Sequence, residues 1–135
     1  MGTVEVSRFV STQPAVLERR LTPDAIVECE GTFTVGDVEK RDGEWIVDAA
    51  ARGLATRVRF EPLENGFRYE HVGGPLETLE TTLTYAPENE GVRVVARSTV
   101  EMGVPPAALT DRIAAWKRRG ELERTLEGIS TLAAE

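Results

Sequence analysis

The sequence predicts an α+β fold: one strongly curved antiparallel sheet of six to seven strands, covered on one side by a long C-terminal helix. Three features of the 135 residues predict it. Between 31 and 102 the chain is a succession of short strands broken by turn residues, and loops this short make neighbouring strands antiparallel. Just after the first strand the hydrophobic period changes from two to 3.6 and then back. The chain closes on a long run of good helix formers opened by Pro105 and Pro106.

The elements follow in order. In "TVEVSRFV" (3–10), Val4 and Val6 alternate with Glu5 and Ser7, as in a half-buried strand. A short helix follows, with Thr12 as its expected cap, Pro14 in its first turn and Val16, Leu17 and Leu21 on its apolar face. Thr22, Pro23 and Asp24 start a second short helix carrying Ile26 and Val27. Strands are then expected over 31–41, with Gly36 at a bulge, and over 43–53 and 54–61, which form two strands or one ribbon bent at Gly53. Asn65-Gly66 marks a hairpin. Further strands are read at 66–72, 76–86 after a "GGP" turn, and 92–102.

Parity sorts the two faces. Leu54, Thr56, Val58 and Phe60 share one face, as do Phe67, Tyr69 and His71, and the series from Val92 through Ser98 to Met102. Arg57, Arg59, Arg68, Arg93 and Arg97 lie opposite. A sheet with one apolar and one wet face needs a single cover, and the terminal helix is the expected one. At about 100° per residue, Leu109, Ile113, Trp116 and Gly120 fall on one line, whereas Leu122, Leu126, Ile129 and Ala133 form a stripe elsewhere. Gly120 therefore marks an expected bend or break, or a missing side chain that leaves volume beneath the helix, or close backbone packing. Trp116 is expected to tuck inward and the rest of "WKRR" (116–119) to be solvated.

Acidic residues number 23 and basic ones 16, for a net charge of −7. Only Lys40 and Lys117 are lysines. Such a chain repels a phosphate backbone, so nucleic acid and anionic membranes are disfavoured as general partners. The arginine excess fits either a GC-rich genome or adaptation to a salty cytoplasm. No signal peptide or roughly 20-residue apolar span is evident, so the expectation is a cytoplasmic protein, monomeric or weakly dimeric. A single cysteine, Cys29, excludes an internal disulfide. Flanked by Glu28 and Glu30, which would raise its pKa, it reads as inert.

With this order of elements the chain resembles the START-like (SRPBCC) superfamily, the helix-grip fold of lipid-transfer proteins, plant allergens and polyketide cyclase/dehydrase-type proteins. The resemblance covers essentially the whole chain as a single domain, 1–135, and is to the small prokaryotic members, haloarchaeal ones among them. It rests on "VEVSRFVSTQPAVLERRLTPDAI", "GPLETLETTLTYAPENEGVRVVARSTVEM" and "LERTLEGI". It implies a cavity between sheet and terminal helix that holds a small hydrophobic molecule. Small inward residues (Ala49, Ala51, Thr56, Ala96, Ser98) leave room for one, unless Trp45, Phe60 and Trp116 fill it.

No phosphate loop, nucleophile elbow or metal-ligand spacing is present, and no cofactor is implied. The candidate ligand-binding residues are Trp45, Arg52, Tyr69, His71, Trp116 and Gly120. His71 shares the inward parity of Tyr69 and is suited to proton transfer near neutral pH, or it lies at a strand end facing solvent. Tyr69 is a hydrogen-bond donor to a bound carbonyl or a core aromatic. Arg52 anchors an anion at the pocket mouth or is simply exposed. Three functions follow: a carrier of a small hydrophobic ligand, a polyketide cyclase/dehydratase-like enzyme, or an interaction module assisting a chaperone or respiratory assembly. A large exposed apolar patch would favour the last.

Overall fold

A computed structural model describes residues 2–72, 78–101 and 107–134, with side chains of 78 and 107–110 excepted. Seven strands form one sheet: β1 (Gly2–Val10), β2 (Thr34–Arg41), β3 (Glu44–Ala51), β4 (Leu54–Leu63), β5 (Gly66–Val72), β6 (Thr78–Glu88) and β7 (Gly91–Glu101). Two short helices, α1 (Pro14–Arg20) and α2 (Pro23–Glu30), follow β1, and α3 (Ala107–Ala134) ends the chain. The strand order is β1-β7-β6-β5-β4-β3-β2, with every pairing antiparallel. Helices α1 and α2 therefore carry the chain from one sheet edge to the other.

The two candidate strands around Gly53 are separate, joined by the turn Arg52-Gly53 with both residues at positive φ. Positive φ is cheap for Gly53 and unusual for Arg52. The expected bulge at Gly36 is present: the β2–β3 register slips between Val35 and Val38. Gly66 has φ +147°, and a Cβ there would collide with the Leu83 carbonyl, so the close pairing of β5 with β6 requires glycine at this position. Thr22 caps α2 by accepting from the Ala25 amide. Thr12 does not cap α1; Gln13 takes that position, without a side-chain bond.

The parity reading of the faces holds through the middle of the sheet. Val4, Val6, Val47, Val58, Phe60, Leu83, Val92, Val94 and Ala96 are buried, joined by Leu17 and Ile26 of the short helices and by Leu122, Leu126 and Ile129 of α3. Each large apolar side chain buried this way contributes about 1.5–3 kcal/mol. On the outer face Arg59 bridges Glu70 (2.9 Å), and Arg68 bridges Glu80 (2.8 Å) and Glu61 (3.3 Å). These exposed pairs set cross-strand preference more than stability. Leu54 has inner parity yet is exposed, because it stands at the hairpin tip beyond the cover.

Candidate functional site

The site starts from α3. Among its described side chains, the buried ones are Asp111, Arg118, Leu122, Thr125, Leu126 and Ile129. Spacings of three, four and seven keep them on one side of an uninterrupted helix. The inner stripe does not change face at Gly120. It changes chemistry: polar residues face inward before Gly120 and mainly apolar ones after it. Following hydrophobicity alone selects the wrong face of the first half. Ile113 and Trp116 are 59% and 78% exposed, while Arg118 is 1% exposed. The expected break, the inward Trp116 and the solvated arginine are all reversed at this point, and Leu109's side chain lies outside the described residues.

Arg118 is pinned on every side. Its Nε donates to Ser98 Oγ (3.1 Å) and its Nη2 to Thr81 Oγ1 (2.8 Å). Nη1 faces Glu121 Oε1 at 3.2 Å and Glu30 Oε2 at 3.5 Å. Thr81 and Ser98 are directly paired across β6 and β7, with hydroxyls 2.9 Å apart, and Ser98 Oγ donates to the Glu80 carbonyl at 3.1 Å. One proton arrangement satisfies them all: Ser98 donates to Glu80 and Thr81 donates to Ser98, so both hydroxyl oxygens accept from arginine. Burial raises the Glu30 carboxyl above its ordinary pKa; Arg118 opposes this and Glu121 adds to it. Burial also opposes the Arg118 charge, but Tyr69, Glu30 and Glu121 outweigh it and hold the guanidinium above its usual value.

Beside this cluster lies an aromatic row on the inner face. Tyr69 is stacked on Phe60 at 4.7 Å, and its phenol lies beside Thr81 and Arg118. Burial pushes its pKa up to about 12, so the phenol stays protonated. His71 lies 6.1 Å from Tyr69 and 6.2 Å from Phe33, ring to ring. Burial, and then the Arg118 cation, push its pKa down to about 3. At neutral pH the imidazole is uncharged. His71 Nδ1 is buried and has no hydrogen-bond partner. An orphaned buried nitrogen costs on the order of 1–3 kcal/mol, and such a group is a pointer to an absent partner.

The six sequence candidates do not converge on one place. Tyr69 and His71 do, and Trp45 joins their row through its cross-strand partner Phe60, with Lys40 Nζ 5.1 Å from its ring. Arg52 is exposed on the β3–β4 turn. Trp116 points away. A Cβ on Gly120 would meet only Arg124 Nη1, at 3.8 Å, so that glycine faces neither a cavity nor a tight contact. The close approach is at Gly128 instead, where a Cβ would stand 2.8 Å from the Cys29 carbonyl oxygen of α2. Glu30, Thr81, Arg118 and Glu121 are not among the sequence candidates, and Ser98 is read from the sequence only as a small inward residue. The available signal was helical spacing, since Arg118 is four residues before Leu122 and eleven before Ile129. A concavity of about 500 Å³ lies at the open end of β2–β4, lined in part by Val35, Ala49, Thr56 and Val72. No group of side chains among the described residues could hold a metal ion, and no described helix is long and apolar enough to cross a membrane.

No protein-family model matches the chain, and no curated protein sequence matches it significantly. Solved structures do. TTHA0849 from Thermus thermophilus is 22% identical with a TM-score of 0.74, covering 98% of this chain and 97% of that one. A START superfamily protein from Mycobacterium smegmatis is 14% identical, TM-score 0.65, covering 93% and 94%. The di-domain aromatase/cyclase StfQ from the steffimycin biosynthetic pathway is 16% identical, TM-score 0.72, with 98% of this chain matching 50% of that one. The chain therefore has the START-like helix-grip fold.

Proposed function

We propose that this chain binds a small, largely apolar molecule between the sheet and α3, and that the molecule carries one hydroxyl or similar group that pairs with His71 Nδ1. The observation that carries this reading is the unpartnered, buried Nδ1 among the rings of Phe33 and Tyr69. A hydroxyl is both donor and acceptor, so it satisfies either imidazole tautomer. A charged ligand group fits less well: an anion meets Glu30 and Glu121, and a cation meets Arg118. Arg118 itself is saturated by protein partners, so its role is to fix Tyr69, Thr81 and the helix over the sheet. START-like and aromatase/cyclase structures with the same fold are consistent with small-molecule binding.

The cyclase-like alternative needs an acid–base group. With its pKa near 3, His71 is a weak base at neutral pH, and Tyr69 near 12 is a weak acid. Neither is matched to proton transfer near pH 7, so carriage is the better reading. Calorimetry with naphthol and naphthalene, which has neither donor nor acceptor, tests it. Naphthol should bind about five- to tenfold more tightly, the worth of one net hydrogen bond, and His71→Phe should remove the difference. Equal affinities in the parent protein would refute the role of His71.

A further inference from the structure

The outer face of α3 between Arg112 and Gly120 is unlike the rest of the molecule. On a chain of net charge −7, this stretch contains no acidic residue. Arg112, Lys117 and Arg119 are exposed, with Ile113 and Trp116 between them. Of the neighbouring carboxylates, Asp111 is buried and Glu121 is drawn inward to Arg118, while the exposed Glu123 marks the end of the cationic stretch, one turn beyond Arg119. From another element, the Glu5 backbone carbonyl accepts from Arg119 Nη1 at 3.4 Å.

We infer that this face docks on the surface of an anionic lipid bilayer, with Trp116 and Ile113 entering the boundary of headgroups and acyl chains and the three cations against lipid phosphates. Tryptophan and an aliphatic residue flanked by arginine and lysine form the pattern of an interfacial helix face. The face is the convex outer side of a helix, which suits a planar surface. A second copy is a poor occupant, because a two-fold contact through this patch would set its cations against themselves. The inference is independent of the ligand proposed for His71. It also reverses locally what the net charge suggests, since a bilayer responds to the nearest charges within a Debye length and not to the whole-chain sum.

Co-sedimentation of the full chain with lipid vesicles tests the inference. Binding is expected to vesicles containing phosphatidylglycerol at low ionic strength, with little to pure phosphatidylcholine and a marked loss at high salt. Lys117→Ala and Arg112→Ala should each weaken partitioning about fivefold, and Trp116→Ser should weaken it further. All three side chains are exposed, so melting temperatures should not change. Failure to bind phosphatidylglycerol vesicles at low salt would overturn the inference. So would binding that is indifferent to all three substitutions, or a dimer in solution that Trp116→Ser dissociates.

Discussion

Replacing Arg118 with Met should be among the most damaging single changes in the chain. Methionine keeps much of the aliphatic volume and removes the guanidinium. Glu30, itself buried, loses its cation, Glu121 loses its i−3 partner, and Thr81 and Ser98 each lose a donor at 2.8 and 3.1 Å. The two hydroxyls still have each other at 2.9 Å, so the main cost is the uncompensated Glu30 carboxylate. Removing one partner of a buried ion pair typically costs about 3–5 kcal/mol, a large part of the roughly 5–15 kcal/mol that holds a domain together. Urea denaturation at neutral pH reads this as a fall in midpoint at constant slope. Glu30→Gln added to Arg118→Met should restore a substantial part, because a neutral amide replaces the stranded charge. The sign of the pH dependence is also fixed. The Glu30 pKa is raised in the folded protein, so protonation favours folding, and the deficit of Arg118→Met should shrink as pH falls towards 4.5. A loss below about 1 kcal/mol, or a double variant no better than the single one, would refute this account of the cluster.

Other outcomes follow from the same geometry. The folded-state pKa of His71 is depressed from 6.5 to about 3, so its neutral form stabilises the fold above pH 6.5, and this is lost as pH falls. Relative to His71→Phe, the parent protein should lose up to about 1.4 kcal/mol per pH unit below 6.5, measured by urea midpoints; parallel profiles would contradict the burial of His71. Gly120→Ala should stabilise by up to about 1 kcal/mol, because its Cβ meets only a flexible arginine tip. Gly128→Ala should destabilise by about 1–3 kcal/mol through collision with the Cys29 backbone; thermal melts that rank the two the other way would sink this reading of the helix. The −7 charge predicts a melting temperature that rises towards molar KCl as carboxylate repulsion is screened. A flat response would leave codon usage as the explanation of the arginine excess.

Most of the fold was legible because the sheet obeys period two and its turns carry their own chemistry. Residues 66–72 are β5 to the residue, and Thr22 caps α2 as its position suggests. The candidate site was half legible. Tyr69 and His71 were found by strand parity, which is blind to residue type. Arg118 was missed because helix faces were assigned by hydrophobicity, and here the buried position is charged while Trp116 on the opposite side is apolar. A buried arginine is tolerated only because Thr81, Ser98, Glu30 and Glu121 converge on it from two strands and two helices. No local stretch of sequence contains that convergence. Gly120 drew attention because glycine is costly inside a helix, yet the glycine that the packing requires is Gly128, whose partner Cys29 is distant in sequence.

The most direct measurement uses the fact that His71 is the chain's single histidine, so the imidazole ¹⁵N spectrum contains one ring and needs no assignment. Without ligand, the ring should remain neutral through pH 5 and begin to titrate only towards its pKa of about 3. Adding naphthol at neutral pH should shift the Nδ1 resonance as the orphaned nitrogen gains a partner, and naphthalene should leave it in place. An imidazole that titrates near 6.5 and ignores naphthol would place His71 in solvent and contradict the binding site proposed between the sheet and α3.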